Sequence, residues 1–375
     1  MSATECHDPP VPYRALAIPN CVIIPWRDRC STKARSQRAP MKKITLTLAL
    51  VLLCASFTNA QTKSPLTLQQ TIPLPGVTGK FDHFAVDTER GLLFAAATGN
   101  HSVEVVDLKT NKVRQSIAGL GKPHGLVWVG STGSLYVADG ALGELMVYNG
   151  TPLALAGTLK LSDDADDMVY DEASHLLFVG HGGAANPAKI AVVDTIRFSI
   201  VASLSVATHP EALEIDAHER RVFANIAESN EVAVIDLASR AITAQWKLSR
   251  AGDNVPLAYD VERHLLYVGC RTPGTLIALD AATGKEVAVA PAAEGVDDLF
   301  YDAALSRVYL ISGAGEVDSY QVGRDKSLRR LGTLLTAAGA KTGLLVPAQN
   351  LLYVGIPGAG VQSAQIRVYS TEEKP

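Results

Sequence analysis

Asp82, His124, Asp166, Glu211 and Asp297 follow one another at 42, 42, 45 and 86 residues, so each opens an equivalent unit of a repeating chain. Val255 and Thr342 hold the same place in two further units. The next position adds His83, Asp167 and Asp298, while Asn254 and Lys341 lie just before it. Carboxylates brought together from such places cannot all ionise without a cation, ordered water or shared protons. Oxygen donors with an imidazole among them suit a hard or borderline divalent ion, Ca²⁺, Mg²⁺, Mn²⁺ or Zn²⁺. The candidate metal ligands are Asp82, His124, Asp166, Glu211 and Asp297. A structural explanation stands beside this one: an acidic side chain at the start of a strand accepts hydrogen bonds from nearby backbone N–H groups, and repeats copy such devices. Both readings stay open for this column. Asp87, Asp171, Asp216, Asp260 and Asp302, which end the same segments, are read as turn-forming residues.

Two further side chains belong to the candidate site. His181 lies in the long insertion "VGHGGAANPAK" and Arg271 in "GCRTPG", both in turns expected to open on the same face as the acidic column. Either could contact a ligand, an anionic one in the case of Arg271. His175, His218 and His264 fall in short turns expected on the opposite face, and His101 and His209 receive no role. The chain has no Gly-rich phosphate loop, no G-x-S-x-G elbow, no H-E-x-x-H and no cysteine pair at zinc spacing. Trp128 and Trp246 are expected to pack between repeats.

The elements that position these residues come from an internal repeat. Phe94, Tyr136, Phe178, Phe223, Tyr267, Tyr309 and Tyr353 recur at 42, 42, 45, 44, 42 and 44 residues. A second column, Asp107, Asn149, Asp194, Asp236, Asp280, Gln321 and Ser370, trails the first. Polar or Gly-rich segments such as "ATGNHS" and "ADGALG" separate the two and read as hairpin turns. Each repeat therefore spells four short antiparallel strands whose apolar runs suit burial on both faces, and no segment carries a helical period. Units of this kind must stack on neighbours, and a circle lets the last cover the first. The fold class is all-β, a seven-bladed propeller of four-stranded blades over residues 77–371. The last unit lacks its fourth strand. "LQQTIPLPG" near the start resembles the fourth strand "VRQSIAGLG", so residues 61–76 are expected to complete the last blade.

Two segments, "KPHGLVWVGSTGSLYVADGALGELMVYN" and "HPEALEIDAHERRVFANIAESNEVAVIDLASRAITAQWKL", resemble the YVTN-repeat family of YncE-like bacterial β-propellers. The likeness extends over residues 77–371. It implies a binding or scaffolding module, with nucleic-acid binding known for some members and no single chemistry common to all.

Residues 41–60 read as a secretory signal peptide: Met41, Lys42 and Lys43, then an apolar run from Ile44 to Leu53, then Thr58-Asn59-Ala60 for cleavage. Residues 1–40 are accordingly read as a mis-assigned upstream extension, residues 372–375 as a tail, and the mature protein as a periplasmic or secreted monomer without a transmembrane segment. A composition of 47% hydrophobic and 19% charged residues is that of an ordinary globular protein. Of the 34 Lys+Arg and 38 Asp+Glu, 8 and 3 lie in the first 60 residues, which leaves the remainder at −9. Such a balance disfavours nucleic acid as a partner. Cys270 is the only cysteine after residue 60, so no internal disulfide is expected. The leading expectation is a non-catalytic module that takes a small molecule, peptide or partner protein at the acidic mouth of the central channel, with or without a divalent cation. A metal-dependent, lactonase-like hydrolase and a single-stranded nucleic-acid binder are the alternatives.

Overall fold

A computed structural model describes residues 64–372 of the chain. The signal-peptide and extension readings lie outside the described residues. Seven four-stranded antiparallel sheets follow one another, each built in the order inner, second, third and outer strand. In blade 1 these are Phe84–Asp87, Leu92–Ala97, Ser102–Asp107 and Lys112–Ala118. Blades 2 to 6 repeat the plan, with inner strands Pro123–Val129, Met168–Asp171, Pro210–Asp216, Gly252–Asp260 and Val296–Asp302. Blade 7 runs Gly343–Val346, Leu351–Ile356 and Gln365–Ser370, and its outer strand is Thr67–Pro73, paired antiparallel with Gln365–Ser370 from Thr67↔Ser370 to Pro73↔Gln365. Among the described residues the only helical elements are two short 3₁₀ turns, and no helix is long and apolar enough to cross a membrane.

Burial explains the sequence pattern. Second strands such as Leu92–Ala97 are buried throughout, because both faces meet another blade. Outer strands such as Ala241–Lys247 alternate exposed and half-buried residues. The aromatic column occupies the second strands and is at most 3% exposed in every blade. Seven apolar clusters result, one between each pair of neighbouring blades; the cluster joining Ile72, Tyr353 and Ile366 of blade 7 to Phe84 and Leu93 of blade 1 closes the ring. Trp128 stacks on Phe94 of the preceding blade, with ring centroids 5.1 Å apart. Trp246 lies against Phe223, and a Cβ on Gly284 would strike it, so it fills the space towards blade 5.

The aspartates that end each inner strand organise the turns that follow. Asp87 Oδ1 accepts the N–H groups of Glu89 and Arg90, and Asp260 Oδ1 those of Glu262 and Arg263; Asp171, Asp216 and Asp302 do likewise for Ser174, Glu219 and Leu305.

Candidate functional site at the channel mouth

The inner strands do not start regularly. Their pairing with the second strand slips between Pro123 and Leu126, Pro210 and Leu213, Asn254 and Leu257, and Val296 and Asp298. His124, Glu211, Val255 and Asp297 sit inside these bulges, which turn their side chains towards the axis. In blades 1 and 3 the strand opens on equivalent bonds: Asp82 N–H donates to Ala96 and Asp166 N–H to Gly180. Blade 2 comes very close to blade 3 here, since a Cβ on Gly125 would lie 2.3 Å from the Asp166 carbonyl oxygen. Only glycine allows the approach that sets His124 against Asp166.

A space of about 110 Å³ results, lined by Lys80, Asp82, His83, His124, Asp166, Glu211, Val255, Arg271, Asp297 and Lys341. His124 Nδ1 is 2.8 Å from Asp82 Oδ2 and 3.3 Å from Asp166 Oδ1. His83 Nε2 is 3.7 Å from Asp82 Oδ1 and 3.9 Å from Asp166 Oδ1, and its Nδ1 is 3.7 Å from Asp298 Oδ1. Across the mouth, Asp297 takes both Arg271 and Lys341. The acidic column is thus compensated from within the protein. Burial disfavours charged imidazoles, but the surrounding carboxylates overcome it and push His83 up to about 10 and His124 to about 9. For Asp166 burial acts upward, yet His124, His209 and His83 hold it well below the usual carboxylate range. Glu211 moves the other way, to about 7, through burial and repulsion from Asp166.

Two residues at the next position also serve the fold. Asp167 Oδ2 accepts the Leu213 N–H at 2.9 Å, and Asp298 Oδ2 the Gly343 N–H at 2.7 Å, so each pins the inner strand of the following blade. With His83 they floor a second space of about 340 Å³ further down the channel, walled by Phe84, Leu126, Met168 and Phe300.

His181 goes elsewhere. It ends its strand 6% exposed, 2.7 Å from Ser162 Oγ, in a separate cleft of about 280 Å³ with Asn186, Pro187 and Lys189; burial first, then Lys189, pushes it down to about 4. On the opposite face His218 is exposed, and His175 and His264 face the hydroxyls of Tyr170 and Tyr259.

Two residues given no role from sequence belong here. His209 Nδ1 donates to the Gly182 carbonyl at 2.6 Å, and its Nε2 lies 3.5 Å from Asp166 Oδ2. Burial opposes its charge, but Asp166 pushes it up to about 9. The signal for it was the column two places before the acidic one, where Lys80, Lys122 and Asp164 also stand. Glu214 lines the lower space, where burial and Asp167 push it up to about 8.

Chemically, the mouth can hold a ligand bearing both signs of charge, or a cation. Donor atoms of Asp82, His83 and Asp166 lie within 4.8 Å of one another, as do those of Asp166, His209 and Glu211. Asp297, claimed by Arg271 and Lys341, stands apart from both groups.

Fold and site together define a seven-bladed β-propeller with a charged channel mouth. No protein-family model and no curated protein matches the sequence. Among solved structures, the chain is similar to one in hydrazine synthase of Kuenenia stuttgartiensis, at 18% identity and a TM-score of 0.67, over 77% of this chain and 95% of that one. It is similar to U3-55K at 12% identity and a TM-score of 0.68, over 80% and 98%, and to a chain of the mitotic checkpoint complex at 14% and 0.68, over 92% and 99%. Likeness at such identity shows the fold alone.

Proposed function

We propose that this protein is an exported binding module that captures a peptide or partner protein by admitting one of its polar groups to the channel mouth. The supporting observation is the mouth itself. Charged side chains from all seven blades surround about 110 Å³, which has room for a side-chain head group or chain terminus but not for a bulky cofactor. No hydroxyl or thiol side chain lines it, so a serine or cysteine nucleophile has no place there. Arg271 and Lys341 both bond the carboxylate of Asp297, a pair of cations able to take an anionic group, while Glu211 offers an acceptor beside Arg271. Similarity in fold to a chain of the mitotic checkpoint complex agrees with protein binding as a use of such rings. Export and membership of the YVTN-repeat propellers are part of the proposal, supported by the Met41–Ala60 pattern and the repeat columns.

A peptide array probed with the purified protein tests it. Saturable binding of peptides carrying an acidic group should fall at least about tenfold in a double variant Arg271→Ala, Lys341→Ala, the loss of one charged hydrogen bond or more. Binding that survives the double variant unchanged refutes the mouth as the site.

A second reading, hydrolysis of an ester or lactone by ion-activated water, is favoured by the Asp82, His83 and Asp166 grouping. Lactone and ester turnover by protein supplied with divalent ions checks it, and a blank screen disposes of it.

A further inference from the structure

We propose that Asp82, His83, His124 and Asp166 form a binding site for one borderline divalent metal ion of the zinc or manganese class. This deepens the reading of the mouth as a binding site and narrows the ligand set expected from sequence, adding His83 and leaving out Glu211 and Asp297.

Geometry carries the proposal. The four residues come from blades 1, 2 and 3, and contacts between their donor atoms measure 2.8, 3.3, 3.7 and 3.9 Å. An ion with bonds of about 2.0–2.2 Å places neighbouring donors roughly 3.0–3.5 Å apart, so the His124 contacts stand near that spacing, while His83, which meets Asp82 through its other oxygen, must move in as the ion binds. His124 is an independent pointer. It is 4% exposed, and neither ring nitrogen has a hydrogen-bond partner although Nδ1 lies 2.8 Å from one carboxylate oxygen. An ion between Nδ1 and the two carboxylates takes the place of the proton they hold there, which leaves to solvent as the ion binds.

The surroundings hold the donors in place. A Cβ on Gly140 would come within 3.1 Å of His124 Cδ2, so the ring lies flat against that glycine. Asp298, pinned by the Gly343 N–H, faces Nδ1 of His83, as the outer carboxylate partner of a metal-bound histidine does. The backbones of Asp82 and Asp166 are bonded to their own second strands. Two imidazoles among four donors select a borderline ion over Ca²⁺ or Mg²⁺, which prefer an all-oxygen shell. The free oxygen Oδ2 of Asp166 turns to His209, and the remaining mouth leaves an open side on which a partner's polar group can dock.

The test uses the metal alone, so its failure leaves the peptide-binding reading to its own experiment. The full chain, purified without a histidine tag and stripped with a chelator, is titrated calorimetrically with Zn²⁺, Mn²⁺, Ca²⁺ and Mg²⁺. One equivalent of Zn²⁺ or Mn²⁺ should bind and raise the melting temperature, and binding should weaken by more than about tenfold in Asp82→Asn and Asp166→Asn, as loss even of an outer partner does. His83→Gln guards against misfolding of those variants: its side chain is 23% exposed in the channel, and it should lose the ion while keeping the fold. His218→Ala, on the opposite face, should bind as wild type. Less than one equivalent bound, preference for Ca²⁺ or Mg²⁺, or wild-type affinity in His83→Gln overturns the proposal.

Discussion

Glu214 shows what a single side chain can reveal in a repeat protein. Counted three places on from the acidic column, the other blades carry Ala85, Val127, Val169, Ala258, Phe300 and Leu345. One carboxyl in an apolar series faces the lower channel, with Asp167 as a like-charged neighbour. Its ordinary value of 4.5 is pushed up to about 8, so the folded state holds a proton that the unfolded chain releases at lower pH. The contribution of Glu214 to stability is therefore full below pH 4.5, declines as pH rises towards about 8, and is level above that. Glu214→Gln abolishes the decline. Relative to wild type the variant should gain stability between pH 5 and pH 8, by a few kcal/mol at most because water in the channel screens the charge. Denaturant unfolding of both proteins across that range checks it, and parallel curves contradict it. The repeat made the location of the acidic column legible, since equal spacing places equivalent residues at equivalent heights on one axis. Its partners were harder to read. Whether Asp297 grips Lys341 of the next blade or Arg271 of the previous one depends on side-chain reach across a ring, which no spacing along the chain encodes. His181 shows the same limit: its turn lies where expected, yet a bond to Ser162 draws it into another cleft.

Within one blade, two aspartate columns do the same turn-forming work in different surroundings. Asp236, at the end of a third strand, accepts from Ser239 N–H and Oγ at an exposed turn. Asp260, at the end of an inner strand, is 1% exposed and accepts from Glu262 N–H, Arg263 N–H, Arg263 Nη1 and Tyr267 Oη. Asp260 was recognisable as a turn residue from sequence and Asp236 only as the close of a third strand, and burial sets what each contributes. Asp236→Ala removes only bonds at an exposed turn and should lower the unfolding midpoint little. Asp260→Ala leaves a buried hydroxyl and a guanidinium without their acceptor and should cost roughly 3 kcal/mol. Urea unfolding midpoints separate the two, and equal losses would show that turn geometry rather than buried pairing governs these positions. The bulges that open the inner strands were invisible in sequence because a slip in register belongs to the pairing with the second strand and not to residue type. They matter more to the site than the strands do, for in blade 6 the bulge turns alternate residues into consecutive channel-facing ones, Asp297 with Asp298.

Over the whole molecule, seven similar interfaces share the load, and a ring differs from an open stack in having no end to expose. One interface is made across the two ends of the described chain. Thr67–Pro73 covers the edge of Gln365–Ser370 over six paired positions, and Ile72 and Leu74, both fully buried, pack with blade 7 and blade 1. Burial of each such side chain stabilises by about 1.5–3 kcal/mol. Without this strand, blade 7 keeps three strands and presents the unpaired N–H and C=O groups of Gln365–Ser370, an apolar edge that pairs readily with another copy. The contact is long-range in sequence, so bringing its two strands together carries the loop-closure cost of the whole ring. Removing residues 61–76 should therefore lower the unfolding midpoint and cause aggregation, seen together by light scattering and thermal melting. Ile72→Asp, which keeps the backbone pairing but sets a charge in the closing core, should lower the melting temperature with less aggregation. A soluble, monomeric deletion protein with an unchanged melting temperature would show that the ring holds without its fastening strand, and that the seven inter-blade cores alone keep the channel residues at one mouth.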